Sequence, residues 1–420
     1  MVHGGAAGRS RRTWLLAGSL AVWGPGLAVM LADTDAGSLV TAAQSGTTWG
    51  YAMVLPLLAL IPVLYVVQEM TIRLGISTGR GHGALITEHF GRRWALLSVG
   101  TLVITCTGAL VTEFAGIAAV GECYGVPRAV SVPLAATFLV GIVVTGSYRR
   151  IERVAVALGL AELAFLPAVL LAHPSPRAIG QGLTHLPVQN GSFLVLLAAN
   201  VGAVIMPWMI FYQQGAVVAK GLQLKDIASE RRDTKVGAVI TQLIMVMMVV
   251  LFAATVGLGH RGQPLHDVAQ MSAVLRPFVG TVAARALLGA TVLGAALVAA
   301  IVSSLAAAWG ISEVTGWAHS LDGGLARASA RFYATFGAVC VLGAAGVLLS
   351  LNLVSLIIDV EVMNALLLPI VLGLLLALET RALPIEHRMS GARRVVTTGL
   401  CVTVMGLGLV LVPLVLFSHP

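Results

Sequence analysis

The stretch Leu31-Ala32-Asp33-Thr34-Asp35-Ala36-Gly37-Ser38 places two carboxylates and a glycine inside an apolar run that begins near Trp14. Charges at the depth of a membrane span cost several kcal/mol unless they face a cavity or a ligand, so acids there mark a functional site. The stretch predicts a helix that breaks at mid-membrane and presents oxygen to a cation.

The rest of the chain supplies the membrane. Of 420 residues, 58% are hydrophobic and 10% are charged, whereas soluble domains carry roughly 25% charged residues. Segments 54–67, 134–144, 236–258 and 287–301 are close to continuously apolar, and a helix needs ~20 such residues to cross the hydrocarbon. The alternation that marks membrane barrels is absent, so helices satisfy the backbone. The four cysteines, Cys106, Cys123, Cys340 and Cys401, are far apart and read as small apolar residues.

Breaking the hydropathy at polar clusters predicts about eleven spans, near 14–46, 49–74, 94–121, 129–147, 154–173, 193–218, 234–259, 284–312, 333–350, 353–378 and 395–417. With a cytoplasmic amino terminus, 21 of the Lys and Arg residues fall on the inner side and 5 on the outer. That asymmetry supports an odd number of spans and an external carboxyl terminus. The net charge of +8 is therefore topology, and no nucleic-acid partner is expected. A cleaved leader is not expected, because Gly24-Pro25-Gly26 interrupts the first apolar run. One integral domain, 1–420, is predicted: a cytoplasmic tail at 1–13, a five-helix repeat at 14–173, a second at 193–378 and an additional helix at 395–417.

A second break is expected in the sixth span, Asn200-Val201-Gly202-Ala203-Val204-Ile205-Met206-Pro207-Trp208, where Pro207 removes a backbone donor and disfavours helix before it. The sixth span opens the second set of five. Broken helices at equivalent positions of two inverted halves free carbonyls and half-helix ends at the membrane centre, which is how such folds build a cation site.

At this point the residues resemble a known family. Asp35-Ala36-Gly37-Ser38 is similar to the Asp-Pro-Gly-Asn motif of the natural resistance-associated macrophage protein (NRAMP) divalent-metal transporters, and Arg73-Leu74-Gly75-Ile76-Ser77-Thr78-Gly79-Arg80 matches their Arg-Leu-Gly-x-x-Thr-Gly-Arg segment. Thr112-Glu113-Phe114-Ala115 resembles the acidic motif of their third span, Tyr148-Arg149-Arg150-Ile151-Glu152 the loop after the fourth, and Ala203-Val204-Ile205-Met206-Pro207 the sixth-span break. The ordered set covers roughly residues 20–380. It implies an all-α integral membrane protein of the LeuT-type five-plus-five inverted repeat, with about eleven transmembrane helices and helices 1 and 6 broken at mid-membrane.

The resemblance also implies a metal ligand set: the Asp35 carboxylate, Ser38 where asparagine is usual, the carbonyl of Ala203 and the Met206 thioether. A thioether suits Mn²⁺, Fe²⁺ and later metals better than strongly hydrated Mg²⁺ or Ca²⁺. The plainer alternative makes Asp35 a helix cap and Met206 core filler. The chain departs from the family at Trp208 and Gln213, where histidines are usual, and at Gly116, where a second acid is usual in proton-coupled members. Neither Trp nor Gln titrates near neutral pH, so proton coupling is not expected to run as in those members. The pattern is also similar to the divergent NRAMP-related branch that carries Mg²⁺ and Mn²⁺ without proton coupling, because Ser38 is short and extra acids occur at Asp33, Asp359 and Glu361.

Asp33, Glu113, Trp208, Gln213, Asp359 and Glu361 are accordingly pathway or gating candidates. Asp359 and Glu361 stand about 200° apart on a helix, so one is expected to line the pathway and the other to meet a polar neighbour such as Asn364. Glu162 ranks below them. Glu69 is expected to pair with Arg73 near the inner membrane face. None of the ten histidines is assigned as a ligand.

The function read is a secondary transporter that imports a divalent cation by alternating access in a multi-pass bacterial inner membrane. Mn²⁺-type ions come first and uncoupled Mg²⁺/Mn²⁺ transport second. A sodium-coupled amino-acid transporter on the same fold is the further alternative. The expected partners are the cation and the lipid bilayer, the expected state is a monomer, and no cofactor is expected beyond the transported ion. No nucleophile–base pair or His-Glu-x-x-His cluster is present in the sequence, so no enzyme is read.

Overall fold

The computed structural model describes residues 29–144, 162, 165–255, 265, 268–317 and 330–417. The tail at 1–13, Gly24-Pro25-Gly26, the 148–152 loop, His260 and His266 lie outside these residues.

A helical turn at 29–31 ends in the turn at 32–35, and α1 (Ala36–Trp49) begins with Asp35 as its cap. Gly50 adopts φ +59°, a left-handed value that favours glycine, and a 3₁₀ turn at Gly50–Met53 leads into α2 (Val54–Thr78). Short α3 (His82–Phe90) precedes the long α4 (Arg92–Cys123) and α5 (Arg128–Val144). After α6 (Phe165–Leu171), the short α7 (Pro176–Thr184) has no buried residue.

The second set opens with α8 (Gly191–Val204), which stops at Ile205 and Met206 before α9 (Pro207–Ala219). Pro207 sits at the first position of α9, where its missing N–H is unpaired in any helix and its fixed φ suits the start. Next come α10 (Ile227–Thr255), α11 (Val268–Val279), α12 (Thr281–Thr315), α13 (Ala330–Leu349), α14 (Leu353–Arg381) and α15 (Gly391–Phe417).

Both expected breaks are therefore present, in α1's approach and between α8 and α9. Among the described residues, eight helical stretches are long and apolar enough to cross a membrane. The chain is a multi-pass membrane protein. Its outer faces carry exposed apolar side chains, among them Leu134, Val341, Leu349, Val402 and Leu409, as helices against lipid require.

Packing brings the broken helices together. α12 lies along α4, α8 along α14, and α10 along α1 and α2, while α1 also touches α4, α8 and α14. Glycine makes the closest of these approaches possible. A Cβ on Gly202 of α8 would strike the main-chain oxygen of Glu361 and come within 2.9 Å of the Ala365 nitrogen, so α8 and α14 meet backbone to backbone. That contact fixes the depth at which the neighbouring Ala203 carbonyl stands.

Candidate functional site

The site grows from the cap of α1. Asp35 Oδ1 accepts from the Ser38 backbone N at 2.7 Å, a helix-capping bond that closes the first turn. Its other oxygen, Oδ2, is buried and receives no N–H or hydroxyl donor. Asp35 is thus a cap, as the plainer reading has it, with its second oxygen left for a ligand or for the carboxyl of a neighbouring acid.

Ser38 ties the two breaks together. Its Oγ lies 2.8 Å from the Asp33 carbonyl oxygen and 2.9 Å from that of Ala203. A hydroxyl carries one hydrogen, so it satisfies one of these carbonyls at a time and leaves the other short of a donor. Asp33, Asp35, Ser38 and Ala203 are all buried. Three of the four residues in the expected ligand set are therefore assembled around one point.

The fourth, Met206, is buried at the cap of α9, and its sulfur accepts from Trp208 Nε1 at 3.0 Å. The residue that replaces the usual histidine thus occupies the thioether. Gln213, at the other departure from the family, is fully buried with neither side-chain polar atom partnered.

Carboxyl groups surround this centre. Glu113 on α4 accepts from the Ala36 N at 3.3 Å and from Thr112 Oγ1 at 3.2 Å, and its carboxyl lies within hydrogen-bonding reach of Asp35. Two carboxylates in such contact need a proton or a cation between them. Glu361 on α14 is buried over Gly37 and accepts from Asn364 Nδ2 at 3.0 Å. Glu162 is buried next to Thr34, the residue between Asp33 and Asp35, and neither of its oxygens has a close hydrogen-bond donor. Among the described residues the buried bases are Arg73 and His82, and both have their partners elsewhere. Among the described residues, the cluster of acids has no protein cation to balance it.

The two acids of α14 separate as their helical spacing requires. Glu361 joins the cluster, whereas Asp359 is exposed on the opposite face of α14 and stands outside it. Both were pathway candidates with the choice between them open, and the one that meets Asn364 is Glu361, which also stands in the cluster. Glu162, ranked low in the sequence, belongs with the central group; the signal was an acid within an apolar span. Asn200 was not singled out, yet its Nδ2 donates to Ser45 Oγ at 2.7 Å and to the Leu196 carbonyl at 2.7 Å, so it pins α8 to α1.

Gly116 has a steric reason. A Cβ there would fall 2.5 Å from that of Ala36, so no side chain fits and the usual second acid has no room. Among the described residues, no three His, Cys, Asp or Glu side chains converge closely enough to hold a metal by themselves. An ion at this centre would need the backbone carbonyls and neutral ligands.

The comparisons with known proteins agree with this architecture. The family model described as natural resistance-associated macrophage protein-like matches residues 26–413. The divalent metal cation transporter MntH of Yersinia pestis is 27% identical over 313 residues, 72% of this chain and 74% of that protein. MntH of Chromohalobacter salexigens is 28% identical over 310 residues, 68% of each chain. A mutant of the Eremococcus coleocola manganese transporter superposes with a TM-score of 0.74 at 17% identity, covering 100% of this chain and 91% of that one. MhsT in complex with L-phenylalanine gives 0.64 at 14% identity, covering 91% and 98%. The fold is that of the inverted-repeat transporters with two broken helices, and the chain belongs to the Nramp family.

Proposed function

We propose that the protein imports a divalent metal cation across a bacterial inner membrane by alternating access, with Mn²⁺ ahead of Mg²⁺. The observation that carries this reading is the convergence at Ser38: two main-chain carbonyls share one hydroxyl hydrogen, beside an Asp35 oxygen that accepts no N–H or hydroxyl bond, with acids and, among the described residues, no bases around them. Such a centre is electron-rich and short of donors. A doubly charged ion supplies the missing partner to every oxygen at once.

In this reading Asp35, Ser38, the Ala203 carbonyl and Met206 are the ligands. Glu113, Glu361 and Asp33 hold the field that draws the ion in, with Glu162 behind them, and Trp208 and Gln213 line the second break. Trp208 gates the sulfur: with its indole on Met206 the site is oxygen-only, and a soft ion must displace it. Family membership and the MntH relatives support the metal reading. An amino-acid substrate is disfavoured by the acids, which would repel its carboxylate.

No imidazole stands in the second break to carry a proton, so we propose transport without obligatory proton coupling. We also propose one transporter domain, 1–420, with repeats at 14–173 and 193–378, a further helix at 395–417 and a cytoplasmic amino terminus, on the arginine asymmetry. The decisive experiment is Mn²⁺ uptake into liposomes with the internal pH recorded. Wild type should accumulate Mn²⁺ without acidifying the lumen, and Asp35→Ala should abolish uptake while still eluting as a folded, monodisperse protein. Undiminished uptake in Asp35→Ala overturns the site, and acidification in step with Mn²⁺ overturns the uncoupled reading.

A further inference from the structure

Far from the metal centre, at the basic end of the molecule, a cavity of about 420 Å³ opens between the end of α2, the start of α10 and the α14–α15 connection. That volume is in the range of ligand pockets, roughly 300–1,000 Å³. Arg73, Arg231, Arg388 and Arg393 line it, with Glu386 as the acid at its wall.

The arginines outnumber what holds them. A single carboxylate oxygen, Glu69 Oε1, receives Arg73 Nε at 2.9 Å, Arg231 at 2.8 Å and Arg393 Nη2 at 2.5 Å. Glu379 takes Arg73 Nη1 at 3.2 Å and also the Met389 backbone N. Each guanidinium carries five N–H donors, so most of those in the cluster remain for another acceptor. The clearest case is Arg73: its side chain is 3% exposed, and its Nη2 has no partner at all. A buried guanidinium nitrogen without an acceptor is costly. The cavity that Arg73 lines is where an acceptor can come from.

The rim adds a second character. Leu224 lines the cavity and is 53% exposed, with the half-buried Ile227 and the exposed Ala228 beside it in the wall. Guanidinium donors that suit tetrahedral oxyanions thus lie beside uncovered apolar side chains at a membrane-helix end. Basic pockets between membrane helices at the cytoplasmic side take phosphate head groups.

We infer that this cavity is a binding site for a phosphate-bearing anion, held by Arg73, Arg231, Arg388 and Arg393. The chemistry is shared by the phosphodiester of an anionic lipid and by free phosphate, and the apolar rim favours the lipid. Glu386 weakens the field and sets an upper limit on affinity.

The test uses the full chain in neutral detergent, titrated by tryptophan fluorescence with dioctanoyl phosphatidylglycerol, with inorganic phosphate and with dioctanoyl phosphatidylcholine. Phosphatidylglycerol should bind saturably and phosphatidylcholine weakly. Arg388 Nε also donates to the Leu383 carbonyl at 2.7 Å. Arg388→Gln should weaken the anion about tenfold, the loss of one charge-assisted bond, and Glu386→Gln should strengthen it, both variants eluting as folded protein. Because the second variant gains affinity, misfolding cannot imitate both results. Phosphate that saturates the site as tightly as the lipid would assign it to free phosphate. Lipid binding that phosphate cannot match would assign it to a head group. No saturable binding by either anion, or binding unchanged in both variants, overturns the site.

Discussion

Asp35 divides its carboxylate between two tasks. One oxygen closes the first turn of α1 and the other, buried, accepts no N–H or hydroxyl bond. Asp35 and Met206 were both readable in the chain as candidates, because an acid and a Met-Pro step interrupt apolar spans. Their engagement was not readable. The indole of Trp208 lies on the Met206 sulfur, and sequence spacing says nothing of that rotamer. Met206→Ala should lower Mn²⁺ and Cd²⁺ uptake on the order of tenfold, about 1.4 kcal/mol, and leave Mg²⁺ little changed. Trp208→Phe should act in the opposite sense, raising Cd²⁺ transport relative to Mg²⁺ by freeing the thioether. Uptake assays with the three ions decide it: equal changes for all three would show that sulfur is not a ligand.

At the scale of elements, α8 and α14 set the depth of the Ala203 carbonyl through Gly202, and the added methyl of Gly202→Ala has only backbone to strike. Overpacking of this kind costs about 1–3 kcal/mol. Thermal unfolding in detergent should show a lowered midpoint for Gly202→Ala together with reduced Mn²⁺ uptake, and an unchanged midpoint would contradict the close approach. The short α3 docks differently. Gln214 Nε2 donates to the Arg80 carbonyl at 2.9 Å, which turns its Oε1 towards His82 Nδ1 at 3.1 Å. The imidazole is therefore neutral with its hydrogen on Nδ1, and it packs edge-on against Phe211 of α9 with ring centroids 4.7 Å apart. Burial holds this imidazole down, from 6.5 to about 4. The undocked form binds more protons between those values, so the contribution of His82 to docking is fully present above pH 6.5 and is lost as pH falls towards about 4. Protection factors over residues 82–90, with the intrinsic pH dependence of exchange divided out, should fall further between pH 7 and pH 5 in wild type than in His82→Gln, and an equal fall in both would remove His82 from the docking.

For the whole molecule, the arginine excess on one side predicts an orientation that can be measured. In sealed right-side-out vesicles of a Cys123→Ser background, a membrane-impermeant maleimide should label Gln181→Cys and not Arg232→Cys, both positions being exposed. The reverse pattern would invert the topology and with it the proposed direction of import. The same arginine excess builds the cavity beside α15, so orientation and anion binding arise from one set of charges. Glu69 illustrates how far pairwise reasoning carries: its bond to Arg73 follows from their i,i+4 spacing, whereas Arg231 and Arg393 reach it from helices more than a hundred residues away.

The chain by itself determined that this protein is helical, crosses the membrane many times and breaks two helices, because hydropathy, proline and intramembrane acids act locally and leave their mark within a few residues. The tertiary structure decided which of those acids share a centre. It set Glu162 and Glu361 beside Asp35 and turned Asp359 outward, and it left Gly116 no space for a side chain. Helix rotation and backbone approach depend on all neighbouring helices at once, and no local stretch of sequence carries that information.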